Sequence, residues 1–205
     1  SFRDGLELVT LRGRAMQDAA ESQDGGMVAL IGATEEQAGE VVASAAKGDV
    51  LVMANFNAPG QIVLSGDSKA CERAVEEAQK AGIRASRLAV AGAFHSPLMA
   101  PAAERLAAAL EKTEISAPMC TVMSNVTGLP HVGEEEDGGD IIKSIRRRLV
   151  EQLTMPVRWD ADCRWLAGNA SGEMHEMAPG KVLSGLMRRI ERSVKVMNHD
   201  EPGKE

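Results

Sequence analysis

A chain of 205 residues and 21.8 kDa, 44% hydrophobic and 26% charged, has enough apolar material for one large domain or two modest ones, which excludes disorder of its body. Aromatic residues make up only 2%, with no Tyr, and the net charge is -7. That combination excludes nucleic-acid binding through stacked bases or clustered cations, and it excludes a cation–π or carbohydrate platform. With 11 Met and many Ala and Leu as filling, the core favours helices over an all-β sandwich.

Residues 2–20 are predicted as a helix. Phe2, Leu6, Val9, Gly13, Met16 and Ala20 step by fours and threes, the spacing of one helical face. Ser1 stands at the N-cap and Asp4 at the reciprocal capping-box position. After the Ser-Gln-Asp-Gly-Gly break at 22–26, residues 27–32 read as a strand. Thr34 and Gln37 form a capping box for a helix that carries Ala38, Val41, Val42 and Ala45 on one face and stops at Gly48. Residues 50–56 and 61–65 are strands, joined by an Asn57–Gly60 turn. Asp67 is expected to cap a second helix, with Ala70, Cys71, Ala74, Val75 and Ala78 inward and Gly82 at its end. Residues 84–90 add a strand. The order β-α-β-β-α-β is that of the ferredoxin-like unit.

Longer α/β pieces follow. The pattern predicts a helix at 97–112, a buried strand at 120–125, a helix at 140–153 stopped by Pro156, a helix at 158–167, a strand at 173–177 and a helix at 181–194. Residues 131–139 form an acidic, Gly-rich loop. Strands at 120–125 and 173–177 are expected in a sheet with helices on both sides, yet two short strands do not make one, so central strands are expected to be missing. Arg146, Arg147 and Arg148 are expected on a solvated helix face. Cys71, Cys120 and Cys163 fit no Cys-x-x-Cys pattern and read as reduced, largely structural thiols of a cytosol-like compartment. No apolar stretch is long enough to span a membrane, and no signal peptide opens the chain. Because it opens on Ser1 inside a helical pattern, it reads as a fragment, a processed chain or a shortened one.

Two residues carry the chemistry. His95 follows the run Leu88–Phe94 and precedes Ser96-Pro97, a favoured N-cap and first helical residue. It therefore sits beside the positive end of a helix, where the field disfavours imidazolium and favours a neutral general base. Spacing alone favours the plainer alternative, a packed histidine bonded to a backbone group. Arg12 shares a partly apolar stripe with Leu8, Ala15 and Ala19, so its charge needs an anionic partner, either a structural carboxylate or that of a substrate. No P-loop, no Gly-x-Gly-x-x-Gly, no metal-ligand spacing among His131, His175 and His199, and no Gly-x-Ser-x-Gly elbow occurs.

Six motifs in order resemble the malonyl-CoA:acyl carrier protein transacylase family. They are Leu11–Gln17 around Arg12, the Asn55–Gly66 hairpin, Gly92-Ala93-Phe94-His95-Ser96, and Ser124-Asn125-Val126-Thr127-Gly128. Gln152-Leu153 with Pro156-Val157 and Trp159 follows, then Pro179–Leu186. The resemblance runs from Ser1 to about Arg192. It implies an α/β fold: an incomplete α/β-hydrolase-like acyltransferase core from residues 1–24 and 91–197, a ferredoxin-like (βαββαβ) subdomain inserted at 25–90, and a flexible tail at 198–205.

The resemblance also implies roles. His95 would be the base that activates a serine and later a pantetheine thiol. Arg12 would pair two-pronged with the free carboxylate of malonyl. Phe94 would crowd branched acyl groups, and Gln152 would orient His95 through its backbone carbonyl. Asn55, Asn57 and Asn125 would border a channel or serve structure. The substrates would be malonyl-CoA and the phosphopantetheinylated acyl carrier protein of fatty acid synthesis, with no tightly bound cofactor, metal, nucleic acid or membrane. A bacterial cytoplasm or an organelle stroma fits. The family's nucleophile elbow and oxyanion donors lie in segments absent from these 205 residues, so the chain alone is expected to be inactive. The alternative is a non-catalytic module that binds a carrier protein or small ligand.

Overall fold

The computed structural model describes residues 1–177 and 179–200. It begins with helix α1 (Phe2–Glu21), closed by the expected capping box between Ser1 and Asp4. The helix is where its spacing predicts, but of the expected face only its end, at Met16 and Ala20, is covered. Phe2, Leu6 and Val9 are 88%, 55% and 61% exposed, while Ala15, Ala19 and Ala20 are buried. Those alanines join Leu8, Leu11 and Met16 against α4 (Ala100–Lys112). Small side chains on that stripe let the two helices approach closely.

Strands β1 (Gly25–Ile31), β2 (Leu51–Ala58), β3 (Gln61–Asp67) and β4 (Arg84–Arg87) form an antiparallel sheet in the order β2-β3-β1-β4. Helices α2 (Glu35–Ala46) and α3 (Ser68–Lys80) cover one face. Val28, Leu30, Ile62 and Leu64 point into that core, and Ala38, Val41, Ala70 and Ala74 meet them. Alternation sends Met27 and Val63 to the opposite face, where they pack with Ala54 and Phe94. That second face matters for the site.

β2 does not alternate throughout. Its register against β3 shifts between Met53 and Asn55, so Asn55 pairs with Val63 and Phe56 with Ile62. This bulge turns Phe56 into the core and puts Asn55 on the side of Val63. In strict alternation Asn55 would share the core face with Leu51 and Met53.

Two expectations in this unit are corrected. The Asp67 carboxylate makes no cap hydrogen bond to α3; it accepts instead from the Val50 amide at 2.6 Å. Beside it, a Cβ on Gly66 would come 2.0 Å from the Val50 carbonyl oxygen, so only glycine allows this approach. The last strand ends at Arg87 rather than residue 90. The chain leaves the sheet there, and Ala93 seats against Gly25, where an added Cβ would lie 2.8 Å from the Ala93 Cβ.

Beyond the sheet, a 3₁₀ turn (Pro97–Met99) leads into α4, where one continuous helix was expected. The buried strand expected at 120–125 reduces to β5 (Met123–Ser124), in a hairpin with β6 (Leu129–Pro130). Met119, Cys120 and Val122 are exposed, and only Ser124 of that stretch is buried. Helices α5 (Ile141–Glu151) and α6 (Trp159–Asn169) follow, then β7 (Met174–Glu176), α7 (Val182–Ile190) and β8 (Val196–Asn198). β7 pairs in parallel with β8 alone, so among the described residues neither expected strand enters a larger sheet. Asn198, the first residue of the expected tail, closes β8; residues 201–205 of that tail lie outside the described residues. Backbone bonds join the sheet unit to the segment before α6. Phe56 N donates to Val157 O and Val157 N donates to Ala54 O, both at 2.8 Å.

The arginine run is not a solvated face. Arg147 pairs with Glu134 and Asp137 at 2.8 Å and with Glu151 at 3.0 Å. Arg148 pairs with the same Glu134 and with Glu151, and Arg146 donates to the Thr113 carbonyl at 2.5 Å. The acidic loop supplies the counter-charges. The two guanidinium groups hold the Glu134 carboxyl down to about 2, Arg148 contributing most.

Candidate active site

His95 stands in the loop between the sheet and the 3₁₀ turn, in a left-handed backbone conformation with φ 56°. That conformation costs a non-glycine residue on the order of 1–3 kcal/mol and persists only where its surroundings fix it. Ser96, fully buried, fixes one side: its hydroxyl donates to Ala93 O at 2.7 Å and accepts from Leu98 N at 3.2 Å. Gly92 fixes the other, since a Cβ there would lie 2.5 Å from the Ala20 Cβ of α1.

The ring itself is held by α5. A helix ends with carbonyls that lack partners, and Gln152 is the C-cap of α5. Its carbonyl oxygen lies 2.9 Å from His95 Nδ1. The Gln152 amide nitrogen also lies 3.2 Å from Nδ1, but a nitrogen that donates to the carbonyl cannot also accept. The shorter contact assigns the proton to Nδ1 and leaves the Nε2 lone pair free. Burial pushes the His95 pKa below the usual imidazole range; the Gln152 carbonyl opposes this and the charge of Arg12 adds to it. The ring is therefore neutral near pH 7, with burial as the leading cause.

Arg12 is half-buried on α1, and its Nη2 donates to Gln152 Oε1 at 2.6 Å. Among the described residues the guanidinium makes this one hydrogen bond and no ion pair. A structural carboxylate partner, one of the two readings open from spacing, is absent there. Burial lowers its pKa, yet an arginine stays charged. Gln152 thus touches both residues, its backbone on His95 and its side chain on Arg12.

A cavity of about 300 Å³ opens beside this relay. Arg12 and Met16 of α1 form one wall, Asn55 and Asn57 of β2 another, and Phe94 and His95 a third. Phe94 packs both with the α1–α4 core and with Met27 and Val63 on the second face of the sheet. The β2 bulge is what brings Asn55 here. Asn125 does not line the cavity; its carbonyl accepts from Arg158 N at 2.8 Å and anchors the start of α6. No group of three donors able to hold a metal ion exists among the described residues.

Two features escape a reading of the sequence. A groove of about 1130 Å³ on α7 and the segment after it collects Lys181, Arg188, Arg189, Arg192 and Lys195. Among the described residues none of these cations forms an ion pair. Their spacing of seven, one, three and three is the available signal, and it is diluted by an acidic total charge. The second is Asp162 on α6, 1% exposed, with no hydrogen-bond partner for either carboxylate oxygen. Burial, then the charge of Asp160, pushes its pKa up to about 6.

Comparison with known proteins places the chain. Residues 1–160 match the acyl transferase domain family. The malonyl CoA-acyl carrier protein transacylase of Haemophilus influenzae is 41% identical over 190 residues, which is 92% of this chain and 58% of that protein. The transacylase of the same name from Escherichia coli O157:H7 is 38% identical over 202 residues, 98% of this chain and 63% of that protein. The crystal structure of malonyl-CoA:acyl carrier protein transacylase from Xanthomonas oryzae superposes with a TM-score of 0.89 at 41% identity, over 98% of this chain and 62% of that one. The complex of a type II PKS acyl-carrier protein with its malonyl-transacylase gives 0.87 at 34% identity, over 98% and 63%. The chain thus spans somewhat less than two thirds of the relatives it matches. By this match, and by the mixed α/β architecture it shares with them, the chain belongs to the acyl transferase family.

Proposed function

We propose that this chain carries the base and the carboxylate clamp of an enzyme that moves malonyl from malonyl-CoA to the phosphopantetheine thiol of acyl carrier protein in fatty acid synthesis. The Arg12–Gln152–His95 relay carries the reading. It sets a fixed cation and a neutral imidazole with a free Nε2 on one small cavity. In this chemistry Nε2 takes the proton of a serine hydroxyl as its oxygen bonds to the malonyl carbonyl carbon. The bond from that carbon to the CoA sulfur breaks, and the imidazolium returns the proton to the CoA thiolate. The second half repeats the sequence with the pantetheine thiol as nucleophile and serine as leaving group. Arg12 holds the distal carboxylate through its unused N–H groups and selects malonyl over acetyl. Phe94 limits bulk at the acyl carbon.

The serine and the oxyanion donors belong to parts of the protein outside these 205 residues in this reading, since no Gly-x-Ser-x-Gly occurs within them. We read residues 25–90 as a ferredoxin-like subdomain, on its strand order, and residues 1–24 with 91–197 as part of an α/β-hydrolase-like core. The α7 groove is the surface we assign to the carrier protein: its five cations form no ion pair among the described residues, so an anionic partner can meet them. Free cysteines and the absence of any described helix long and apolar enough to cross a membrane fit a cytoplasm or an organelle stroma.

Incubating the complete protein with malonyl-CoA and measuring its mass tests the reading. A covalent malonyl adduct that is discharged by carrier protein is expected; no adduct refutes it. The 205 residues alone are expected to give neither adduct nor turnover. If they bind carrier protein while the complete protein transfers nothing, the binding-module alternative replaces this one.

A further inference from the structure

Away from the cavity, two imidazoles meet at the C-terminal end of the chain. His175 lies in β7, and His199 directly follows β8. The parallel ladder pairs Met174 with Val196, His175 with Met197 and Glu176 with Asn198. The His199 amide extends it by donating to Glu176 O at 3.0 Å. Both histidine backbones are therefore pinned. His175 Nδ1 lies 2.8 Å from His199 Nε2, with ring centroids 5.1 Å apart and planes at 29°. Both side chains are exposed, and Glu173 Oε2 lies 3.8 Å from the other His175 nitrogen.

An N···N contact this short needs a single proton between the rings. With none, two lone pairs repel; with two, the N–H groups clash. A metal ion can take that proton's place. Imidazole nitrogens bind Zn²⁺ at about 2.0–2.1 Å, which sets two of them about 3.3 Å apart on a tetrahedral ion. Opening the exposed rings by about half an ångström reaches that geometry. The neighbouring Glu176 does not compete, because its buried carboxylate accepts from the Leu183 and Ser184 amides at 2.9 and 2.8 Å.

We propose that His175 and His199 form a two-histidine surface site for a divalent transition metal, with water in the remaining positions. The proposal does not depend on the acyl-transfer reading. Imidazole donors favour Cu²⁺ and Ni²⁺ over Zn²⁺ only by degree, whereas Mg²⁺ prefers oxygen. One ligand comes from each side of the β7–β8 ladder, so a bound ion staples the two strands. It thereby braces the Glu176 carboxylate that caps α7.

Calorimetric titration of the metal-free chain with Ni²⁺, Cu²⁺ and Mg²⁺ tests this. The expected result is one equivalent of Ni²⁺ and of Cu²⁺ and no Mg²⁺. His175→Gln and His199→Gln each should weaken Ni²⁺ binding at least tenfold, while their metal-free melting curves stay that of the parent. Cys120→Ser, which removes an exposed thiol elsewhere, should leave binding unchanged. The proposal is overturned if no stoichiometric Ni²⁺ binding occurs, if Mg²⁺ binds as well as Ni²⁺, or if either histidine variant binds as the parent does. Because the two variants lie on different segments, either one that keeps its fold decides the question.

Discussion

Replacing Asp162 by Asn should make the protein more stable at pH 8 relative to the parent than it does at pH 4. The side chain is enclosed and both its oxygens lack partners, so its ionised form is disfavoured in the folded state. Its pKa rises from the ordinary 3.8 to about 6. Below pH 3.8 the group is protonated whether the chain is folded or not, and it contributes nothing. Between 3.8 and 6 only the unfolded chain ionises, so each pH unit removes about 1.4 kcal/mol of stability. Above about 6 the loss is constant at about 3 kcal/mol. The Asn amide has its own desolvation cost, but that cost does not titrate, so the difference between the two proteins reads the carboxylate alone. Urea unfolding of both proteins at several pH values measures it. In melting temperature, about 3 kcal/mol corresponds to a relative gain of about 6–12 °C for a chain of this size. Parallel pH profiles for the two proteins would refute the reasoning, because they would mean that Asp162 ionises as freely inside as outside.

Five further outcomes are expected, the first four in the complete protein. His95→Ala should lower acyl transfer by about two to four orders of magnitude. In the parent, transfer should fall as pH drops through a midpoint below 6.5, since burial lowers the His95 pKa and the protonated ring is no base. Arg12→Ala should raise the KM for malonyl-CoA and spare acetyl-CoA; equal losses on both would remove the clamp role. Gln152→Ala deletes the hold on Arg12 but keeps the backbone carbonyl, so KM for malonyl-CoA should rise while the pH midpoint stays in place. A shifted midpoint would place the side chain, and not the carbonyl, in control of His95. Hydrogen exchange should find the Phe56 and Val157 amides in one protection class; fast exchange at Val157 with slow exchange at Phe56 would show that their junction opens independently.

Local signals made much of the fold legible. The Thr34–Gln37 box, the Pro59-Gly60 turn and the period-two strands are short-range codes, and the sheet unit follows them closely. What failed depends on contacts distant in sequence. Periodicity locates α1 but cannot say which stripe α4 covers, so Phe2, Leu6 and Val9 stand exposed. Besides Glu151 on their own helix, Arg147 and Arg148 find acids 10 to 14 residues away in a loop whose shape the sequence does not announce. In the site, Arg12 and His95 were legible as types under tension, a cation on an apolar stripe and an imidazole at a helix start. The position of Asn55 was encoded less openly. In Leu51-Val-Met-Ala-Asn-Phe-Asn-Ala the apolar parity switches between Met53 and Phe56, which is the mark of the bulge. The Gln152 bridge, 140 residues from Arg12, had no local signal beyond the family motif.

The two backbone bonds at Val157 act as a lock against hinging. Asn55 stands between the two β2 residues they join, and Val157 lies five residues past Gln152, so one stitch sets the spacing of opposite cavity walls. Swinging the sheet unit away as a rigid body must break both bonds, at about 0.5–1.5 kcal/mol each, and must also part the Phe56 ring from the Arg158 guanidinium that lies 4.9 Å over it. On the acyl-transfer reading, Gln152 sets the gap from Arg12 to His95 as a calliper of fixed width, because it bonds both. On that reading, such a frame favours selection by carboxylate reach rather than by closure around the substrate.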